Sequence, residues 1–279
     1  MIDVIDRVPT YPGRVRLIPV AGQANTYDMV RADDPLVEGT PLNKALFDGI
    51  DAEIAALQRL VADTMFEMSQ RVPIGTLSAG SVFSLYENGI RVPFLVVSKS
   101  WLSTGRTLVM RQDIYKMDTL FNEGERFYPG SKADLWLTNE YINYLDPATQ
   151  GVLTTNTIAS LDANSNDSIS RKIFLLATRE YGIVQPKSKS EGDLSTFFYG
   201  ASAEKKIALY NGVASPQWTR SVSYGNSDAG VITAEGTEII GDPYTDICGY
   251  RPAFTLPANF EVTAGAPNTA NTMATAEVL

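Results

Sequence analysis

The spacing of apolar residues changes abruptly near residue 71. From Leu46 to Met68 apolar side chains recur every three or four positions, and charged or amide side chains occupy the other faces. Beyond residue 75 the apolar residues stand in short runs separated by Gly, Asn and Ser, as is typical of strands. The chain is therefore predicted to be an α+β protein in which one amphipathic helix, residues 44–70, precedes a mixed domain, residues 71–260.

Residues 1–43 are predicted to form an extended arm, because prolines at positions 9, 12, 19, 35 and 41 interrupt any helix. Val15 and Leu17 alternate with arginines, which predicts one short strand. Such an arm has little core of its own, so we expect it to dock on another chain; a partly disordered terminus is the alternative. Residues 261–279, rich in Ala, Thr and Asn and without a period, are predicted to form a polar tail.

The apolar stripe of the helix is narrow, and a helix of this length would extend for about 40 Å. We expect it to pack on copies of itself, in a coiled-coil-like manner. The residues predicted to mediate this oligomerisation are Leu46, Ile50, Ile54, Leu57, Val61 and Met65. Their spacing is not a strict heptad, so packing on the chain's own domain is the alternative.

Within the mixed domain, residues 132–142 and 147–153 are predicted to form short helices, and the apolar run 171–177 a buried strand. Residues 182–250 are dominated by Gly, Ser, Asn and Asp with interspersed aromatic residues. This composition favours long irregular loops over continuous sheet, and long loops on a rigid frame often carry function.

Composition excludes several classes of site. The chain contains no histidine and one cysteine, Cys248, which excludes His-containing triads and His-coordinated metal sites. We predict no catalytic residues, no metal site and no cofactor. The net charge is −9 and the basic residues are scattered, so a nucleic-acid partner is not expected. No apolar run approaches the length of a membrane span and no secretory signal is visible, so we expect synthesis in the bacterial host cytoplasm and no membrane insertion.

Two acidic patterns leave alternatives open. Alternate oxygen-bearing side chains at Asp162, Asn164 and Asn166 suit calcium, but the loop lacks the glycine and glutamate of an EF-hand, so a polar turn is favoured. The carboxylate pairs Glu123 with Glu125 and Asp242 with Asp246 have residue types that a glycosidase uses. Frequent acidic residues produce such pairs by chance, and solvated surface positions are favoured.

Residues 13–47 read GRVRLIPVAGQANTYDMVRADDPLVEGTPLNKALF. This segment resembles one near the N-terminus of many bacteriophage and prophage tail proteins. In those proteins it precedes a helix and a variable distal domain. The resemblance implies that residues 13–47 dock onto other tail or baseplate subunits, and that the protein is located in the tail of a virion.

A second resemblance covers residues 80–257. LWLTN from Leu135, KIFLLATREY from Lys172, WTRS from Trp218 and GYRPAFTL from Gly249 occur in that order. The arrangement resembles an uncharacterised domain family related to C-type-lectin-like and formylglycine-generating-enzyme folds. That family often pairs two tryptophans where this chain has Gln217-Trp218, so we expect the local packing to differ at this position. The resemblance implies a C-type-lectin-like domain that displays ligand-binding loops.

We therefore expect a homotrimeric receptor-binding or tail-fibre protein, not an enzyme, that binds a glycan or protein on the host surface. Tyrosine and asparagine on Gly/Ser-rich loops supply rigid contact area and adaptable hydrogen bonds. The candidate binding residues are Tyr199, Tyr210, Asn211, Tyr224, Asn226, Asp228 and Tyr244. Trp136, Trp218, Phe174 and Phe254 are predicted core residues, and Arg220 and Arg251 are predicted structural residues. The alternatives are an architectural baseplate or collar subunit and a carboxylate-dependent glycan depolymerase.

Overall fold

The computed structural model describes residues 8–9, 15–31, 35–37, 44–118, 127–161, 168–225 and 228–266. The chain divides into two compact units, Met1–Ser69 and Gln70–Leu279, which we call the arm–helix unit and the β-rich unit. Helices are few and strands many, so the protein belongs to the α+β class. Within the described residues, no helix combines the length and apolar character needed to cross a membrane.

The arm–helix unit contains two short antiparallel strand pairs before its helix. Strand β1 (Val8–Pro9) pairs with β4 (Pro35–Val37), and β2 (Val15–Pro19) pairs with β3 (Tyr27–Arg31). The strand predicted at Val15 and Leu17 is confirmed, but it is half of a hairpin whose second strand the prediction lacked. The side chains of Leu17, Tyr27 and Met29 remain 54–71% exposed, so the hairpin buries little apolar surface.

Helix α1 (Lys44–Ser69) confirms the helix predicted from the apolar spacing. Its 26 residues extend for about 39 Å. The apolar stripe is open to solvent along most of this length: Ile54, Leu57, Val61 and Met65 are 47–66% exposed, and Ile50 is half-buried. The side chain of Leu46 lies outside the described residues.

The β-rich unit contains sixteen of the described strands and two α-helices. In chain order they are β5 (Arg71–Pro73), β6 (Val82–Glu87), β7 (Ile90–Ser98), β8 (Arg106–Arg111), β9 (Lys116–Asp118), α2 (Lys132–Asn139), α3 (Pro147–Val152), β10 (Asn156–Ala159), β11 (Ser168–Arg171), β12 (Ile173–Phe174), β13 (Ala208–Tyr210), β14 (Val213–Ser215), β15 (Gln217–Val222), β16 (Ala229–Ile232), β17 (Glu238–Gly241), β18 (Cys248–Tyr250), β19 (Ala253–Pro257) and β20 (Glu261–Ala264). Both helices lie where short helices are predicted. Each begins after a capping side chain, Ser131 for α2 and Asp146 for α3, which accepts hydrogen bonds from backbone amides of the first turn.

Seven antiparallel strands form the larger sheet, in the order β12-β19-β8-β7-β6-β20-β5. The fold includes a sheet curled into a half barrel. Fully buried aromatic residues pack on the strands: Phe94 lies 6.0 Å from Phe83 and 5.6 Å from Phe254, measured between ring centroids. Trp136, Trp218, Phe174 and Phe254 are at most 6% exposed, which confirms the prediction that they build the core.

The prediction of irregular loops over residues 182–250 was wrong for the second half of that range. Strands β13 to β18 lie there, and a five-stranded sheet has the order β17-β16-β15-β18-β9. Strand β15 is buried at all six positions although its residues are mostly polar. Its Thr219 hydroxyl donates to the Gly230 carbonyl, and the Tyr181 hydroxyl donates to the Gln217 side chain. Mutual hydrogen bonding replaces the apolar alternation on which strand prediction depends.

The prediction of a polar tail from residue 261 was also wrong for its first four residues. Glu261–Ala264 form strand β20, which lies between β5 and β6 in the seven-stranded sheet. Val262 is only 2% exposed, and the pairing with β5 and β6 gives this polar segment its backbone partners. Residues 267–279 lie outside the described residues.

Arg220 of β15 forms a buried ion pair with Glu180. The Arg220 guanidinium donates to both carboxylate oxygens of Glu180 at 2.6 Å, and both side chains are at most 1% exposed. It also donates to the carbonyls of Ala159 and Leu175. Burial alone would lower the pKa of Arg220, but the Glu180 carboxylate outweighs it and the pKa is raised. The structural role predicted for Arg220 is therefore confirmed.

Glu191 lies beside this ion pair and is 7% exposed. Its Oε1 accepts a hydrogen bond of 2.8 Å from the Leu161 amide. Burial raises the pKa of Glu191 to about 7, although the Leu161 amide and the Arg220 charge act against the shift. The interior therefore contains one carboxyl group that titrates near neutrality.

Candidate binding cleft

The candidate binding residues lie on four different segments of the β-rich unit. Tyr210 ends β13 and Asn211 follows it in the turn to β14, whereas Tyr224 follows β15 in the turn to β16. Asp228 precedes β16, Tyr244 lies between β17 and β18, and Tyr199 lies in the loop that follows Phe198. Tyr199 and Tyr224 are 63% and 65% exposed. Asn226 lies outside the described residues.

Two of these residues, Tyr210 and Asn211, line one cleft. Tyr224 follows β15 in the chain, whereas the β13–β14 turn precedes this six-residue strand. A strand of that length extends for about 20 Å. Tyr210 and Asn211 lie side by side in a concave surface.

That surface is a cleft of about 280 Å³, lined by Pro93, by four residues of the segment 111–115 and by residues 209–212. One wall follows β8, and the other is the β13–β14 turn. Leu209 joins the two walls at its backbone: its amide donates to Asp113 Oδ1 at 3.1 Å, and its carbonyl accepts from the Ile114 amide at 3.0 Å. These two hydrogen bonds fix the position of one wall relative to the other, so the cleft is formed before a ligand binds.

The turn itself is built by Asn211 and Gly212. Both have positive φ, 50° and 79°, and Tyr210 pairs with Val213 across them. Asn-Gly is the residue pair that two-residue hairpin turns of this hand favour, because both positions need left-handed backbone. The local sequence therefore presents the Tyr210 and Asn211 side chains at a rigid tip.

Arg111 forms part of the cleft lining and is held by its neighbours. Its Nε lies 3.1 Å from Glu87 Oε2, and its Nη1 donates to the carbonyls of Asp113 and Ile114. Glu87 also accepts a hydrogen bond of 2.6 Å from the Tyr141 hydroxyl. Burial, and then the Glu87 charge, raise the pKa of Tyr141 well above its usual value, so this hydroxyl remains a donor.

The charges around the cleft balance. Arg111 is paired with Glu87. Arg251, fully buried, donates from Nε to the Arg111 carbonyl at 2.9 Å. Burial lowers the pKa of Arg251, and the Asp113 carboxylate is among the groups that act against the shift. Two guanidinium groups and two carboxylates therefore lie in the cleft lining or next to it.

Tyr115 supplies an aromatic side chain to the cleft. Its ring stacks on Tyr144 with centroids 5.6 Å apart, and the Arg111 guanidinium lies 5.4 Å from its centroid. Its hydroxyl accepts a hydrogen bond from Asn88. Burial, and then the Glu87 charge, raise the pKa of Tyr115. This side chain therefore stays neutral at physiological pH.

Sequence reasoning missed Arg111, Asp113 and Tyr115. One signal could have indicated them: a polar segment directly follows the apolar run of β8. Loops that follow the strands of a sheet often carry functional residues. What the sequence did not contain is the pairing of this segment with a hairpin almost one hundred residues later.

The acidic pairs have different outcomes. Asp246 Oδ2 accepts a hydrogen bond from the Asp242 amide, and Asp242 Oδ1 accepts one from the Tyr244 amide, so both carboxylates brace an exposed turn. Glu123, Glu125 and the segment Asp162–Asp167 lie outside the described residues. Cys248 is 4% exposed, and burial raises the pKa of its thiol to about 12, as expected for a buried apolar side chain.

One family matches the chain: a domain of unknown function, DUF6273, over residues 104–258. The match covers more than half of the chain, including β8 to β19 and both walls of the cleft except Pro93. No curated protein and no solved structure matches the chain.

Proposed function

We propose that this chain, which belongs to the DUF6273 family of domains of unknown function, is a receptor-binding subunit of a bacteriophage tail or tail-like particle. The observation that carries the proposal is the cleft at the β13–β14 turn. It combines a preformed concavity with the half-buried Tyr210 and the exposed Asn211, residue types that are common in adaptable binding surfaces. In this proposal the protein binds a host-surface receptor and catalyses no reaction.

The arm–helix unit supports the assembly part of the proposal. Its hairpin and helix expose large apolar side chains, among them Met29, Leu57 and Met65 at 60–71%. Exposed apolar stripes of this length mark interaction surfaces. We propose that residues 13–47 dock on other tail subunits and that α1 packs on two further copies in a coiled-coil-like homotrimer, located in the virion tail.

We also propose that the β-rich unit is a variant of the C-type-lectin-like or formylglycine-generating-enzyme-like folds. Two short helices beside twisted antiparallel strands, with Trp136 and Trp218 in the core, support this relationship. Such folds bind ligands through loops at one end of the domain. In this proposal the cleft is the ligand-binding site of the β-rich unit.

The test is a cryo-electron reconstruction of the parent particle containing the chain. We expect trimers whose β13–β14 turns lie at the exposed distal tip. If neighbouring subunits cover these turns instead, the chain is an architectural subunit and the receptor-binding proposal is wrong.

The oligomeric state is tested separately, by light scattering on the purified chain. Leu57→Asp is expected to convert a trimer to monomers, because it places a charge in the apolar stripe. Gln58→Asp, one residue further and on a polar face of the same helix, is the matched control and is expected to remain trimeric. A wild-type monomer would contradict the proposed role of α1.

A further inference from the structure

We propose that the cleft between residues 111–115 and the β13–β14 turn binds one neutral saccharide ring, packed on Tyr210 and hydrogen-bonded by Asp113 and Asn211. This inference rests on the proposed receptor-binding function and names the ligand of that site. It is argued from the size of the cleft, its charge and the chemistry of its lining.

The size of the cleft favours a small ligand. Pockets for small molecules usually enclose about 300–1,000 Å³, and this cleft, at about 280 Å³, lies at the lower limit. One sugar ring fits such a space, whereas a longer segment of glycan or peptide must extend out of it. The ligand is therefore a terminal or branching unit of a larger surface polymer.

The charge of the cleft favours a neutral ligand. An anion would meet the Asp113 carboxylate, and the Arg111 guanidinium is already paired with Glu87 and bound to two carbonyls. A cation would meet the Arg111 guanidinium, which lines the same cleft, and the Asp113 carboxylate already accepts a hydrogen bond from the Leu209 amide. Neither sign of charge gains a free counter-ion, so a charged ligand would lose hydration without compensation.

The lining has the chemistry that recognises hydroxyl groups on an apolar ring. A carboxylate accepts hydrogen bonds from hydroxyls, and a side-chain amide both donates and accepts. Asp113 and Asn211 supply these groups, and Tyr210 adds an aromatic surface for the C–H face of a sugar. Affinity at one such site is weak, and three copies on a trimer would strengthen attachment by multivalency.

Saturation-transfer NMR on the full-length chain tests the ligand class, because this method detects weak binding. The neutral probes are methyl glycosides of hexoses and N-acetylhexosamines; N-acetylneuraminic acid and methyl phosphate are the anionic probes, and choline is the cationic one. We expect transfer to at least one neutral probe, with little dependence on salt, and none to the charged probes. Absence of transfer to every neutral probe, or transfer to a charged one alone, overturns the inference.

Variants locate the site. Tyr210→Ala and Asn211→Gly are each expected to weaken binding at least about tenfold, the effect of losing one well-formed contact. Glycine tolerates the positive φ of position 211, so the second variant keeps the turn. Leu135→Ala removes an exposed apolar side chain of α2 that does not line the cleft; it is the matched control and is expected to bind as the wild type does. Circular dichroism confirms that each variant folds.

Binding of the same proteins to intact bacteria related to the strain that carries the gene separates the two proposals. If the cleft variants lose both sugar and cell binding, both proposals stand. If they lose cell binding while no neutral probe binds the wild type, the saccharide inference fails and receptor binding stands. If a neutral probe binds in the cleft but the wild type binds no cells, the inference stands and the proposed receptor-binding function fails.

Discussion

Replacing Glu191 by glutamine should change how the stability of the protein depends on pH. In the native state this buried carboxyl group has a pKa of about 7, whereas its ordinary value is 4.5. Between these values the native protein retains a proton that the unfolded chain has released, so rising pH favours unfolding. The stability associated with Glu191 is therefore fully present below about pH 4.5 and is lost as the pH rises through about 7.

The magnitude follows from the size of the pKa difference. One pH unit corresponds to about 1.4 kcal/mol, so the wild type should lose about 3 kcal/mol of its free energy of unfolding across this interval through Glu191 alone. Glu191→Gln keeps an oxygen that accepts the Leu161 amide and removes the titration. The variant should therefore gain about 3 kcal/mol relative to the wild type between about pH 4.5 and about pH 8.

Urea denaturation at a series of pH values, followed by tryptophan fluorescence, measures this difference. Glu235→Gln, which removes a carboxylate from an exposed turn, serves as the control. A constant offset between Glu191→Gln and the wild type would refute the reasoning, because it would mean that Glu191 titrates alike in the folded and unfolded states.

Three further predictions concern the core and one turn. Arg220→Met should lower the free energy of unfolding by about 3–5 kcal/mol in chemical denaturation, because Glu180 then remains buried without its partner. The added substitution Glu180→Leu should recover part of this loss. If it recovers nothing, the explanation by the ion pair is wrong. Gly182→Ala should cost more stability than Gly89→Ala, since both positions have positive φ but only at 182 would the new methyl collide with the Phe198 carbonyl; equal losses would argue against a steric origin. Cys248 should resist iodoacetamide at about pH 8 in the native protein and react once urea unfolds it, because burial keeps the thiol protonated; rapid native labelling, followed by mass spectrometry, would show that the site opens.

The local sequence pattern was sufficient to predict an element where the buried positions follow the period of the apolar residues. The spacing from Leu46 to Met68 predicts α1, and the capping residues Ser131 and Asp146 lie at the starts of helices that the sequence also predicts. The core positions of Trp136 and Trp218 follow from residue type, because large aromatic side chains rarely stay in solvent.

The sequence pattern did not predict the strands in which polar side chains form hydrogen bonds with one another inside the protein. Strand β15 and the segment Glu261–Ala264 read as loop and tail, yet one is fully buried and the other completes a sheet. The partners that stabilise them are distant in sequence, as the hydrogen bonds from Arg220 to Glu180 and Leu175 illustrate. For the same reason the sequence indicates only one wall of the cleft: Asn211 and Gly212 are recognisable as an Asn-Gly turn, but Asp113 joins this hairpin only through tertiary pairing.

The position of β20 has a consequence for synthesis on the ribosome. Strand β5, the first of the β-rich unit, has β20 as its neighbour in the sheet, and β20 is the last of the described strands to leave the ribosome. Until it emerges, β5 has no strand to pair with, although α1 and the arm have long been outside the exit tunnel. If α1 forms the proposed trimer, neighbouring nascent chains have time to associate through it before their β-rich units close. The same adjacency places the first and the last described strands of the unit side by side, so a circular permutant that joins Ala264 to Arg71 by a short linker should preserve its sheet.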